Sequence, residues 1–262
     1  STLQQVASRK LGFSVSRTMQ YAQRLYEAGL ITYMRTDSLN LSGTAVAGAT
    51  AEIESKFGKE YVQVRKYATK AKGAQEAHEA IRPTDFTKEF AGADDPQKKL
   101  YRLIWQRAVA SQMAAAKVQK TVAKIDISTN KYQFVAKGEV VTFDGFLAVY
   151  NWDVVGKDDV LLPPLKQGEP VTYQELGATA TYTKPPARYG EASLVKKLEE
   201  LGIGRPSTYA PTITTIQQRG YVVKQNHEGV PRQIEHAKLK NGKVVWELTT
   251  KNVWAYKNKL VP

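Results

Sequence analysis

Gly29-Leu30-Ile31-Thr32-Tyr33-Met34-Arg35-Thr36-Asp37-Ser38 is the stretch on which the reading of this chain turns. Its apolar start, Leu30–Met34, follows a helix-stopping glycine and predicts a short strand. In an extended segment residues i and i+2 share a face, so the phenol of Tyr33 and the guanidinium of Arg35 point into the same space. Beyond them lies a cluster of hydroxyl and acidic side chains. Upstream, Leu3, Val6, Ala7 and Lys10-Leu11 follow a helical period that Gly12 ends. Ser14 or Ser16 caps a second helix through about Ala28, with Met19, Ala22, Leu25 and Tyr26 on its apolar face. The order is helix, turn, helix, strand.

The same grammar returns later. Ser193 can cap a helix carrying Leu194, Leu198 and Leu201, stopped by Gly202. Ser207 can cap another carrying Ile213 and Ile216, ending before Gly220, and Tyr221-Val222-Val223 then starts a strand. Between these two units, residues 43–120 read as mostly helical, including Ala45–Phe57 and Lys98–Lys117. Tyr67–Gln75 reads as a mobile connector. From Thr121 the period changes to two. Thr121–Ser128, Tyr132–Ala136, Val140–Phe143 and Phe146–Trp152 are strand candidates, with turns at Asn130-Lys131, Gly138 and Asp144-Gly145. Val171–Glu175 and Ala178–Thr183 resume the pattern, Pro185-Pro186 marks a boundary, and Asn241-Gly242 between Ile234–Leu239 and Val244–Leu248 signals a type I′ hairpin.

The fold class is therefore α+β and multidomain, with helical winged-helix-like units flanking a β-rich segment. The expected division is 1–120, helical and carrying Tyr33; 121–184, β-rich; and 185–262, winged-helix-like.

Charge narrows the partner. The chain has 262 residues with 38 Lys+Arg against 25 Asp+Glu, a formal net charge of +13, which favours a polyanion. Its 14 tyrosines suit base stacking as well as phosphate binding. There are no cysteines, which excludes disulfides, Cys-ligated zinc and thiol catalysis. No apolar run approaches the roughly 20 residues that span a membrane, and no signal peptide is legible. A cytoplasmic protein is expected.

Phenol is a weak nucleophile, with an unperturbed pKa of about 10, and needs activation. Arg35 can stabilise charge on phosphate oxygens with its planar fork of donors. A bare Tyr-x-Arg is common on ordinary strands, but all ten residues closely resemble the active-site segment of the type IA DNA topoisomerases of bacteria. Ala77-His78-Glu79-Ala80-Ile81-Arg82-Pro83 resembles a second signature of that family. A helical turn there would place His78 and Arg82 on one face, and a histidine can donate to phosphate or move a proton. A zinc reading fails, because position 82 is Arg where a second histidine is needed. Tyr189-Gly190-Glu191-Ala192-Ser193-Leu194-Val195 and Gly204-Arg205-Pro206-Ser207-Thr208-Tyr209 form a third match, the latter resembling the family segment that contacts single-stranded DNA. Ser207 and Thr208 open a helix whose amides can hold phosphate, Arg205 adds a fork of donors, and Tyr209 can stack on a base. Arg219 can reach the strand's backbone or favour the helix dipole.

The resemblance implies catalytic Tyr33, Arg35 and His78, with Asp37, Arg82, Arg205, Ser207, Thr208, Tyr209 and Arg219 on DNA. It implies a tyrosine that attacks one DNA strand, becomes joined to a 5′ phosphate, lets a strand pass and reseals, relaxing negative supercoils. The β-rich segment corresponds to part of the family's arch. Family members use Mg²⁺, held by a glutamate and an Asp-x-Asp cluster on an N-terminal domain. No Asp-x-Asp occurs here, so no metal ligand is assigned, and the chain is expected to be an internal fragment that binds single-stranded DNA and partners the remaining domains of the same protein, on the bacterial nucleoid. The competing reading is a nonenzymatic helix-turn-helix DNA-binding protein. The basic charge suits it; the Tyr33 run and the β-rich insertion do not.

Overall fold

The computed structural model describes residues 1–67, 79–127, 131–151 and 162–262. The chain forms two compact units. The first comprises Ser1–Val122, Lys137–Leu162 and Glu191–Thr214, and the second Ala123–Ala136, Pro163–Gly190 and Thr215–Pro262.

The first unit begins with α1 (Thr2–Leu11) and α2 (Val15–Glu27). Gly12 and Gly29 adopt left-handed φ of 68° and 69°, which a side chain resists. Ser14, not Ser16, caps α2, its hydroxyl accepting from the Arg17 amide at 3.2 Å. Helices α3 (Gly43–Phe57) and α4 (Asp95–Ser111) follow, capped by Ser42 and Asp94, with Pro96 tolerated in the first turn of α4. Trp105, Tyr101, Leu25, Ile31, Ile53, Leu100 and Leu103 are buried in one core. Trp105 also donates from Nε1 to the Phe86 carbonyl at 2.7 Å, and the Tyr101 hydroxyl to that of Lys88 at 2.8 Å, so α4 holds the 85–88 turn from beneath.

Several sequence expectations fail here for local reasons. Leu30–Met34 is not a strand; it makes a single bridge, Ile31 to Pro83. Pro83 has no N–H to extend a ladder, and side-chain bonds take its place. The predicted helix over 98–117 stops at Ser111, because residues 112–114 turn aside to pair with 61–63: the Gln63 amide donates to Gln112 O, Val62 bridges Met113, and the Ala114 amide donates to Tyr61 O. Phe146–Trp152 is not a strand where described: residues 145–148 form a 3-10 turn, and Phe146, Val149 and Tyr150 meet the core at spacings of three and four. Position 152 and most of the expected connector, 68–75, lie outside the described residues.

Strands β1 (Lys117–Asp126) and β2 (Gln133–Phe143) form a two-stranded sheet. The turn expected at Gly138 is absent, and this glycine runs through β2 as a buried residue. The last part of the first unit contains α5 (Glu191–Glu200) and the start of α6 (Tyr209–Gln218). Ser193 lies inside α5 rather than capping it. The second helix starts two residues after Ser207, so Thr208 stands at the cap position instead.

In the second unit β3 (Leu176–Thr179), β5 (Val230–Lys240) and β6 (Lys243–Val253) form an antiparallel sheet in the order β3-β5-β6. Asn241 and Gly242 both have positive φ, 51° and 71°, as the expected two-residue hairpin requires. Strand β4 (Val223–His227) pairs with β7 (Tyr256–Val261). Val171–Glu175 is exposed and not in a strand. His236 bridges the sheet, Nδ1 lying 3.0 Å from Thr179 Oγ1 and Nε2 2.8 Å from Thr249 Oγ1, while His227 stacks on Tyr256. His236 is half-buried and His227 exposed. The molecule is a mixture of helices and antiparallel sheets; a strand follows the second helical hairpin but not the first.

Candidate nucleic-acid active site

The loop carrying Tyr33 is laced to residues 79–84 along its length. The Thr84 hydroxyl donates to Gly29 O at 2.7 Å, and its amide to Leu30 O at 3.0 Å. The Thr32 amide donates to Arg82 O, and its hydroxyl to Ala80 O at 2.7 Å, while accepting from the Arg82 amide at 2.9 Å. Further on, the Ala80 amide donates to Asn40 O, and the Ser42 amide to Glu79 Oε1. Two short turns add local rigidity: the Ser38 amide donates to Thr36 Oγ1 and the Asn40 amide to Ser38 Oγ.

This scaffold presents alternate side chains. Met34, Thr36 and Ser38 are buried, Asp37 is half-buried, and Tyr33 and Arg35 are exposed. The period-two reading of the run therefore holds without a strand. Tyr33 is 38% exposed, and its ring meets that of Tyr26 edge-on, with centroids 5.2 Å apart. Arg35 makes no ion pair with a described residue.

Arg82 lies in a tight bidentate clamp. Its Nε donates to Glu79 Oε1 at 2.8 Å and its Nη2 to Glu79 Oε2 at 3.0 Å, and Nη1 donates to the Pro83 carbonyl at 2.9 Å. Burial pushes the Glu79 carboxyl upward, but the donors of Arg82 and Ser42 outweigh it and hold the group below its ordinary value. The clamp was not legible from the spacing: Glu79–Pro83 is not helical, so the one-face helical turn expected for His78 and Arg82 does not form through it. His78 itself lies outside the described residues.

The third motif makes a tight turn. The Thr208 and Tyr209 amides donate to Arg205 O, and the Arg205 amide to Thr208 Oγ1 at 2.8 Å. Gly204 has φ +79°, and a Cβ there would meet Thr208 Oγ1 at 2.9 Å, so this position needs glycine. Arg205, Ser207 and Thr208 are exposed. Tyr209 is not presented as a stacking platform: it is 4% exposed, in a small core with Val15, Val195 and Ile213. Burial raises its hydroxyl pKa, Glu199 adds to the rise, Arg205 opposes it, and the charge of Asp37 adds again. The first and third motifs thus converge, Asp37 lying within electrostatic reach of Tyr209. Gln4 of α1 is buried and donates from Nε2 to Pro206 O at 3.4 Å. Arg219 is exposed just after α6, in the second unit.

Among the described residues no three His, Asp or Glu side chains gather as a cation site. No helix among them is long and apolar enough to cross a membrane.

An exposed phenol and an exposed guanidinium thus lie two residues apart on a basic chain. A model of the DNA topoisomerase family matches residues 1–246. The chain belongs to the bacterial DNA topoisomerase I family. It is 47% identical to DNA topoisomerase 1 of Zymomonas mobilis over 243 residues, covering 89% of this chain and 20% of that one. Over 231 residues it is 48% identical to DNA topoisomerase 1 of Pseudomonas aeruginosa, covering 86% and 26%. The structure of full-length topoisomerase I from Thermotoga maritima matches with a TM-score of 0.72 at 41% identity, over 85% of this chain and 38% of that one. The chain therefore spans roughly a fifth to two fifths of the length of these relatives.

Proposed function

We propose that Tyr33 is the nucleophile of a type IA topoisomerase reaction on single-stranded DNA. The observation that carries this reading is the joint exposure of Tyr33 and Arg35 on a loop whose intervening side chain, Met34, is buried. The Tyr33 oxygen attacks phosphorus and gives up its proton; the bond from phosphorus to the 3′ oxygen breaks, and that oxygen takes a proton. The product is a 5′-phosphotyrosyl link and a free 3′ hydroxyl. A phenolate is a better leaving group than an alkoxide, so the 3′ hydroxyl can reverse the step without external energy. Passage of a strand between the two events relaxes negative supercoils.

Arg35 stabilises charge on the phosphate oxygens in the transition state. Arg205, Ser207 and Thr208 hold the backbone of the strand, Asp37 borders it, and buried Tyr209 supports the turn from within; Arg219, on the second unit, is assigned to DNA separately. His78 moves a proton or donates to the phosphate. Arg82 acts through its clamp on Glu79, which keeps residues 79–84 against the Tyr33 loop. The Mg²⁺ use implied by the family is assigned to residues beyond those matched here, and the substrate places the protein on the bacterial nucleoid. Membership of a topoisomerase family favours this reading over a nonenzymatic helix-turn-helix protein.

The test is covalent trapping. Residues 1–246 replace the matching segment of the Pseudomonas aeruginosa relative, and the chimera is incubated with 5′-end-labelled and 3′-end-labelled oligonucleotides and denatured. The expected result is adduct carrying the 3′-labelled fragment, mapped to Tyr33 by peptide mass spectrometry. DNA mapped to Tyr26 or Tyr209, or label from the 5′-labelled fragment, overturns it.

A further inference from the structure

One face of α5 carries Glu191, Val195 and Glu199 at spacings of four, so all three lie in one stripe. Each touches the helical hairpin that precedes the Tyr33 loop. Glu191 Oε2 accepts from the Val15 amide, the first of α2, at 2.8 Å. Val195 is fully buried against Val15, which is itself fully buried. Glu199 accepts from the Ser1 hydroxyl at 2.5 Å and from Gln5 Nε2 at 3.3 Å, at the start of α1. Two carboxylates thus sit at the N-terminal ends of two helices, where orphan amides and the helix dipole favour negative charge, with one valine contact between them. Ser14 already caps α2 through the Arg17 amide, so Glu191 supplies a second cap from another part of the chain.

This stripe belongs to a core separate from that of the rest of the unit. The buried residues of the smaller core are Val15, Val195, Tyr209 and Ile213, whereas the main core contains α4 and the Tyr33 loop residues Ile31 and Met34. Of the small core's buried residues only Val15 comes from the first half of the chain. The segment carrying Arg205–Thr208 is therefore held to α1 and α2 by little apolar area and by several hydrogen bonds, those above and Gln4 to Pro206.

We infer that the Glu191–Val195–Glu199 stripe is a latch that sets the Arg205–Thr208 turn against the Tyr33 loop, with Glu191 as its principal positioning residue. The functional consequence rests on the reading of Tyr33 and Arg205 given above; the latch itself does not. Releasing it frees the turn as a body while the main core stays closed. A strand held by Arg205 is then no longer placed for attack by Tyr33, although the residues that bind it remain.

Hydrogen exchange by mass spectrometry on the chain without DNA tests the latch. Glu191→Ala is expected to raise exchange at least tenfold in peptides covering 13–18 and 191–209, with α3 and α4 unchanged. Glu191→Gln keeps an acceptor oxygen and the volume, and is expected to fall between wild type and Glu191→Ala. Unchanged exchange at 204–209 in Glu191→Ala overturns the latch. If Glu191→Ala exchanges rapidly everywhere, Glu191→Gln decides: a rise confined to 13–18 and 191–209 supports the latch, and a uniform rise or none overturns it. In the chimera, Glu191→Ala is expected to bind single-stranded oligonucleotide within threefold of wild type while its adduct yield falls at least tenfold; equal losses in both overturn the positioning role. Absence of adduct in the wild-type chimera counts against the Tyr33 reading and leaves the exchange result standing.

Discussion

Thr32 and Arg82 exchange three hydrogen bonds around the residue that precedes Tyr33. The Thr32 amide donates to Arg82 O, the Arg82 amide donates to Thr32 Oγ1, and a weaker contact of 3.5 Å joins that hydroxyl to Arg82 O. The hydroxyl also donates to Ala80 O. One side chain thus fixes the Tyr33 loop to the clamp segment. Thr32→Val keeps the shape and removes the hydroxyl, leaving a partly buried amide and carbonyl without partners. We expect a loss of about 1–3 kcal/mol, read from urea unfolding, and a lower adduct yield. Unchanged stability shows that water replaces the hydroxyl.

Tyr33→Phe removes only the phenolic oxygen. The edge-on contact with Tyr26 and the buried neighbours Ile31 and Met34 should persist, so melting temperature and single-strand affinity should stay close to wild type. Adduct should vanish in the chimera. Arg35→Ala should leave the nucleophile in place and slow adduct formation on the order of a hundredfold or more, the usual effect of losing a transition-state donor. Adduct from the Phe variant places the nucleophile elsewhere.

Binding to single-stranded DNA should exceed binding to duplex and weaken linearly in log–log form with salt. Arg205→Ala should lower both affinity and the salt slope, the latter by about one phosphate contact. Because Arg205 is exposed, this variant should fold normally. An unchanged slope removes Arg205 from the DNA surface.

The Glu79 clamp carries a pH signature. Its folded-state pKa is depressed, so its contribution to stability is present above the ordinary carboxylate range and is lost as pH falls through the lowered value. Wild type should be more stable than Glu79→Gln at pH 7, with the gap closing as the solution is acidified below about pH 4. Thermal melts at stepped pH measure it; a gap constant with pH contradicts the linkage.

Tyr101 gives the opposite sign. Burial, with Asp85 nearby, pushes its hydroxyl from 10.0 up to about 12. Its stabilising contribution is complete below pH 10 and lost as pH rises towards 12. The difference in stability between wild type and Tyr101→Phe should therefore shrink across that window, and an alkaline titration of tyrosinate absorbance should show one late-titrating group missing from the variant.

Local chemistry was legible in the sequence wherever a residue's own backbone preference decides the outcome. Gly12 and Gly29 end helices because left-handed φ costs them little, Asn241-Gly242 makes a hairpin for the same reason, and the alternation from Tyr33 to Ser38 follows from side chains on an extended chain. The apolar periods that place Leu25, Ile53 and Trp105 inside were equally readable, and the family motifs pointed to Tyr33, Arg35 and Arg205. Tertiary structure decided what depends on partners distant along the chain. A strand was expected at Leu30–Met34, but its neighbour offered Pro83, which cannot continue a ladder, and Thr32 with Thr84 supplied side-chain bonds instead. Tyr209 read as a platform for a base, and Val15, 194 residues earlier in the chain, covers its ring. The helix spacing of His78 and Arg82 gave no hint of the Glu79 clamp, since a carboxylate three residues from an arginine forms a bidentate pair only when the backbone between them bends to suit. Ser193 was expected to start α5, and nothing in the spacing showed that the approach of α2 makes the Glu191 carboxylate a cap for Val15. Such contacts are set by which surfaces meet, and neither periodicity nor propensity encodes that.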